Sequence, residues 1–110
     1  MTRPRYTADE RTRTRLDRQL GDIAGAALSE VRITPALYGD GTVWCAMALD
    51  LDGREVPLAG RTREVASLLR EAFPGARWNR AQDYDVASGK LRKHVIELPA
   101  ALAEMAGESR

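Results

Sequence analysis

The sequence predicts a single α+β domain, an antiparallel sheet with helices packed on one of its faces. Three observations carry that expectation. Apolar residues recur at helical spacing in two stretches, Leu16 to Leu28 and Val65 to Phe73. Between them lie two turn signals, Gly39-Asp40-Gly41 and Asp52-Gly53, flanked by alternating or apolar runs. The length of 110 residues suits one domain with one core.

In chain order, residues 1–6 read as an N-terminal arm and residues 7–110 as the domain. Thr7-Ala8-Asp9-Glu10 has the form of a capping box, in which Thr7 accepts a backbone N–H and Glu10 reaches back. Leu16, Leu20, Ile23, Ala24, Ala27 and Leu28 then follow at steps of three and four, predicting a helix to about Glu30. Gly21 and Gly25 inside it each cost about 1 kcal/mol relative to alanine. Close packing against the sheet, or a helix contact with a second subunit, would account for them.

The Gly39-Asp40-Gly41 signal is read as a three-residue hairpin loop with Gly41 left-handed, pairing Tyr38 with Thr42. That register sets Leu37 opposite Val43, Pro35 opposite Cys45, Ile33 opposite Met47 and Val31 opposite Leu49, all apolar and all on one face. A two-residue Asp-Gly loop would instead pair Arg32 with Leu49 and Thr34 with Met47, mixing the faces, so burial selects the first register. A two-residue turn at Asp52-Gly53 then joins Leu51 to Arg54 and places Val56 opposite Leu49 and Leu58 opposite Met47. The expected buried set of this three-stranded meander is Val31, Ile33, Leu37, Val43, Cys45, Met47, Leu49 and Val56. Its other face would carry Arg32, Thr34, Ala36, Tyr38, Thr42, Trp44, Ala46 and Ala48.

Thr62 can cap a second helix, with Val65, Leu68, Leu69, Ala72 and Phe73 as its stripe and Pro74-Gly75 as its stop. A second hairpin is expected over 76–86 and 90–98, turning at Ala87-Ser88-Gly89 and pairing Trp78 with Leu98, Arg80 with Ile96 and Asp83 with Lys93. Pro99 can open a short last helix, with Leu102 and Met105 inward and Gly107 ending it. The whole order is α-β-β-β-α-β-β-α. Residues 8–73 share the α-β-β-β-α order of a double-stranded-RNA-binding domain. The Lys-Lys-x-Ala-Lys signature of that family is absent, however, and the second helix opens Arg61-Thr62-Arg63-Glu64, so order alone assigns no family.

Composition narrows the function classes. No apolar run approaches the roughly 20 residues of a membrane-spanning helix, and no apolar stretch follows the N-terminal arginines as in a secretory signal. The single cysteine, Cys45, excludes an internal disulfide framework and suits a reducing cytoplasm. Net charge is only +1 but unevenly spread. Residues 1–20 carry six arginines against Asp9, Glu10 and Asp17, residues 21–60 are acidic, and residues 61–93 carry eight basic side chains against four acids. Two basic segments around an acidic one point to an anionic partner.

No catalytic constellation emerges. Asp50-Leu51-Asp52-Gly53 begins like a calcium loop, but Arg54, Glu55 and Arg61 occupy positions where an EF-hand needs a ligand, a glycine and a glutamate. Asp83 and Asp85 share a strand face and, with Asp50 and Asp52, form the one sketch of a metal-dependent hydrolase, although Lys93 is a ready partner for Asp83. Cys45 and His94, each the sole residue of its type, would need to meet on a surface that the register denies to Cys45. Zinc spacings, phosphate-binding glycine loops and dinucleotide fingerprints are absent from the sequence. No catalytic residue, metal ligand or cofactor is assigned.

The expected function is therefore a non-catalytic binding or regulatory module. Its candidate site residues are Arg32, Tyr38 and Trp44 on the outer face of the first hairpin, and Arg77, Arg80, Lys90, Arg92 and Lys93 in the second. Aromatics among arginines suit nucleic acid, by stacking and phosphate contact, or else a protein partner or homodimer anchored on Trp and Tyr.

Overall fold

The computed structural model describes residues 6–95. Its elements are α1 (Glu10–Ala24), β1 (Leu28–Tyr38), β2 (Gly41–Asp50), β3 (Glu55–Val56), α2 (Thr62–Ala72), β4 (Gln82–Asp85) and β5 (Lys90–Lys93). The strands form one antiparallel sheet in the order β3-β2-β1-β4-β5. Leu16 and Leu20 of α1 and Val65, Ala66 and Leu69 of α2 join Val31, Ile33, Ala48, Tyr84 and Leu91 of the sheet in one buried cluster, so both helices cover the same face. This is the expected α+β architecture. The expected last helix, residues 99–107, and the pairings of Ile96 and Leu98 lie outside the described residues.

Local chemistry moves the ends of α1. Asp9, not Thr7, is the N-cap: its Oδ1 accepts from the Thr12 N–H at 2.7 Å, and this bond holds its carboxyl below the usual range. Thr7 instead forms a bridge with Lys90, while Tyr6 O accepts from Leu91 N at 2.7 Å. Tyr6, included in the expected arm, is also tied to Gly75 O through its hydroxyl. The helix stops at Ala24 because Gly25 turns left-handed at φ 68° and donates to Gly21 O. Leu28 consequently belongs to β1, where it is buried.

Both turns of the meander differ from expectation by one residue. The first loop has two residues, Gly39 and Asp40, so that Tyr38 pairs with Gly41, Ile33 with Ala46 and Val31 with Ala48. The second has three, Leu51 to Gly53, with Ala48 opposite Val56 and Leu49 opposite Glu55. The Asp50 carboxylate specifies this longer loop by accepting from the N–H groups of Asp52 and Arg54, both at 2.9 Å, and Gly53 takes the left-handed position. The two shifts offset one another. Val31 and Ile33 of β1 and Val56 of β3 keep their expected inward direction, and only β2 is turned over.

Trp44, Ala46 and Ala48 therefore face the helices, whereas Val43 and Met47 are half-buried and Cys45 is exposed on the other side. Leu37, expected in the core, is 85% exposed. The physical reason is steric. α2 lies over β2, and alanines at 46 and 48 give its backbone the room that Met47 and Leu49 would fill.

Trp78 sits in the turns leading to β4 rather than in a strand, and its indole N–H donates to Phe73 O at 2.9 Å. The second hairpin turns through four residues, not three, so Asp83 lies opposite Arg92 and Gln82 opposite Lys93. Asp85 sets this loop, accepting from both N–H and hydroxyl of Ser88, and Gly89 closes it at φ 73° with its N–H on Asp85 O. A Cβ at Gly89 would sit 3.2 Å from Arg13 Cδ. Gly89→Ala is expected to lose about 2 kcal/mol, from the left-handed backbone and this contact together. An unchanged urea midpoint would count against both causes.

Candidate functional site: a basic surface and a tryptophan-lined cleft

The proposed site residues fall into three environments. Arg32 on β1 is committed to carboxylates. Its Nε donates to Asp83 Oδ1 at 2.8 Å, and its Nη2 lies 3.6 Å from Glu30 Oε2. Asp83 also receives His94 through Nδ1 at 2.7 Å on Oδ2. A carboxylate only accepts, so the Nδ1 of His94 carries the proton in this contact. Lys90 and Arg92 extend the same sheet face on β5, exposed and opposite Asp85 and Asp83. Lys93, an odd number of residues from both, belongs to the opposite face.

Tyr38 is 62% exposed at the tip of the β1–β2 ribbon, beside the exposed Leu37. That ribbon extends beyond its neighbours, since β4 pairs β1 only over Glu30 to Ile33 and β3 pairs β2 only at Ala48 and Leu49. Arg77 is exposed and Arg80 half-buried in the irregular segment before β4. The structure thus gathers Arg32, Asp83 and Arg92 on one sheet face and leaves Tyr38, Arg77 and Arg80 apart from them.

Trp44 does not share the face of Arg32. It points to the helix side, where its indole N–H donates to Trp78 O at 2.7 Å and the guanidinium of Arg70 lies over its ring, 3.5 Å from the centroid. Arg63, Ser67 and Arg70, spaced i, i+4, i+7 along α2, line a cleft of about 240 Å³ against Thr42, Val43 and Trp44. Arg63 and Arg70 were not singled out in the sequence, although their spacing opposite the Val65/Leu69 stripe was a readable signal. A second line of the same kind runs along α1. Arg11, Arg15 and Arg18 are exposed at i, i+4, i+7, and among the described residues none of them makes an ion pair. Arg61, by contrast, is bound to Glu64, and the two charges hold each other ionised: the guanidinium's pKa is raised and the carboxyl's lowered by that bond.

Three of the four carboxylates of the hydrolase sketch are already engaged, all but the exposed Asp52. Asp50 serves its turn, Asp83 holds Arg32 and His94, and Asp85 holds Ser88. Cys45 on β2 and His94 beyond β5 are separated by β1 and β4, a lateral distance of about 14 Å at normal strand spacing. That excludes direct proton transfer between them in this arrangement. No described helix is long and apolar enough to cross a membrane. No family model, curated protein or solved structure matches the chain.

Proposed function

We propose that this protein is a non-catalytic binding module whose partner is nucleic acid, held through its phosphates. The observation that carries this reading is the exposed line of Arg11, Arg15 and Arg18, with no carboxylate bound to any of them among the described residues. Seven residues of helix separate the outer two, about 10 Å along the axis, a span that can meet more than one phosphate of a single strand. The engaged carboxylates and the separation of Cys45 from His94 support a binding rather than a catalytic role. Arg32 is better assigned to holding β1 against β4 than to phosphate, because Asp83 already neutralises it.

Mobility-shift titrations on single- and double-stranded DNA and RNA at two salt concentrations test the reading. Affinity should fall steeply with log salt, and Arg11→Gln/Arg15→Gln/Arg18→Gln should flatten that slope by about two to three units. No binding at low salt would reject it.

A second reading has its own observation. Leu37 and Tyr38 stand exposed on a ribbon whose two edges are unpaired near its tip, which suits a protein partner or a second copy of this chain adding a strand. Light scattering separates the two: a dimer that Tyr38→Asp converts to monomer, without nucleic-acid binding, would favour this alternative.

A further inference from the structure

We infer that the cleft between α2 and the free edge of β2 is a binding site for a phosphate group, with Arg70 and Arg63 as its ligands. The inference is independent of the arginines of α1. It begins with how Arg70 is held. An arginine side chain on a helix surface normally samples many rotamers, and binding an anion then costs the entropy of fixing one. Arg70 is fixed in advance. Its guanidinium stacks on the Trp44 ring at 3.5 Å, and Trp44 is itself pinned through its N–H to Trp78 O at 2.7 Å.

Stacking leaves the edge of the guanidinium plane available while occupying its face. Among the described residues Arg70 has no carboxylate partner, and its Nε is buried without an acceptor. A cation desolvated on one side and unpaired is a costly arrangement, and an anion in the cleft relieves it. Arg63, two helical turns earlier, lines the same cleft, with Ser67 and Thr42 also in its walls and no carboxylate residue among them. Two guanidinium groups and two hydroxyls supply the donors that a tetrahedral oxyanion needs.

Size points the same way. About 240 Å³ is below the roughly 300–1,000 Å³ of pockets for drug-sized molecules. The cleft suits a phosphate group, with the rest of its carrier outside. Arg63 also lines an adjoining depression with Tyr38, Cys45 and Thr62, into which a larger carrier could extend.

Isothermal titration of the full chain at low salt, with tryptophan emission recorded in parallel, tests this with two probes: inorganic pyrophosphate and a 5′-phosphorylated dinucleotide. Saturable one-to-one binding with a change in emission is expected for at least one probe. Tighter binding of the dinucleotide identifies a nucleotide carrier, and equal binding identifies free phosphate, both with the site intact. Arg63→Gln and Arg70→Gln should each weaken binding by about tenfold or more, the loss expected for one charge-assisted hydrogen bond. Arg54→Gln, which removes an exposed arginine beside the β2–β3 turn and away from both arginine lines, should bind both probes as the unsubstituted chain does. Should Arg70→Gln lose its fold by circular dichroism, the exposed Arg63 decides the matter alone. Absence of saturable binding by either probe at millimolar concentration, or affinity unchanged in Arg63→Gln, overturns the site.

Discussion

Ala48→Asp is expected to abolish cooperative folding, while Met47→Asp, one residue away, leaves a folded protein. Ala48 is fully buried beneath the helices, between Val31 of β1 and Val56 of β3. A carboxylate there has no cation to pair with among those neighbours, and burying it costs several kcal/mol in addition to the clash of its larger side chain. A domain of this size has about 5–15 kcal/mol of stability to lose. Met47 is half-buried on the face that the two helices leave uncovered, opposite Arg32. An aspartate at that position faces a guanidinium, and its expected loss is about 1 kcal/mol. Urea melts followed by circular dichroism give both values. The reverse order, with Met47→Asp unfolded and Ala48→Asp cooperative, would restore the register in which Met47 faces the core.

The second large effect is alkaline destabilisation through Tyr84. Its side chain is fully buried, tilted against Phe73 with ring centroids 5.7 Å apart, and its hydroxyl has no hydrogen-bond partner among the described residues. Burial is the main reason that its pKa is pushed up to about 12; the nearby charge of Arg13 opposes the rise, and those of Asp17 and Asp85 add to it. The unfolded phenol ionises at its ordinary value near 10. Between pH 10 and 12 the unfolded chain therefore binds fewer protons than the native one, and stability falls as pH rises. The contribution is complete well below pH 10 and has declined by about 2 kcal/mol at pH 12, since each pH unit inside that window removes up to about 1.4 kcal/mol.

Tyr84→Phe removes this titration. It also removes an unsatisfied buried hydroxyl, so the variant should be at least as stable as the unsubstituted chain at pH 8. Urea melts of both proteins from pH 8 to 12 should diverge above pH 10, the variant falling less. Parallel curves would place the hydroxyl in contact with water.

These two residues show where the sequence was legible. Tyr84 alternates with Asp83 and Asp85, and the strand signal around it was sufficient to place it on a sheet. Its burial followed only from α1 and α2 covering that face. The Arg32–Asp83 contact joins residues 51 positions apart, which no local spacing reveals. The Trp44–Arg70 stack likewise requires α2 to lie along β2, a choice made by packing rather than by either segment.

By itself, the sequence determined the number, type and order of the described elements, because periodicities of two and of 3.6, glycines at turns and Pro74-Gly75 after a helix act within a few residues. Tertiary structure decided which face of β2 is inward. Summed hydrophobicity favoured Val43, Cys45, Met47 and Leu49, but a helix must approach the sheet closely, and that rewards the small Ala46 and Ala48 with one large indole at the end of the row. Two of the loop lengths were decided locally instead. Asp50 and Asp85 set them through carboxylate bonds to N–H groups two to four residues ahead, an effect one residue in size that turns over a whole strand.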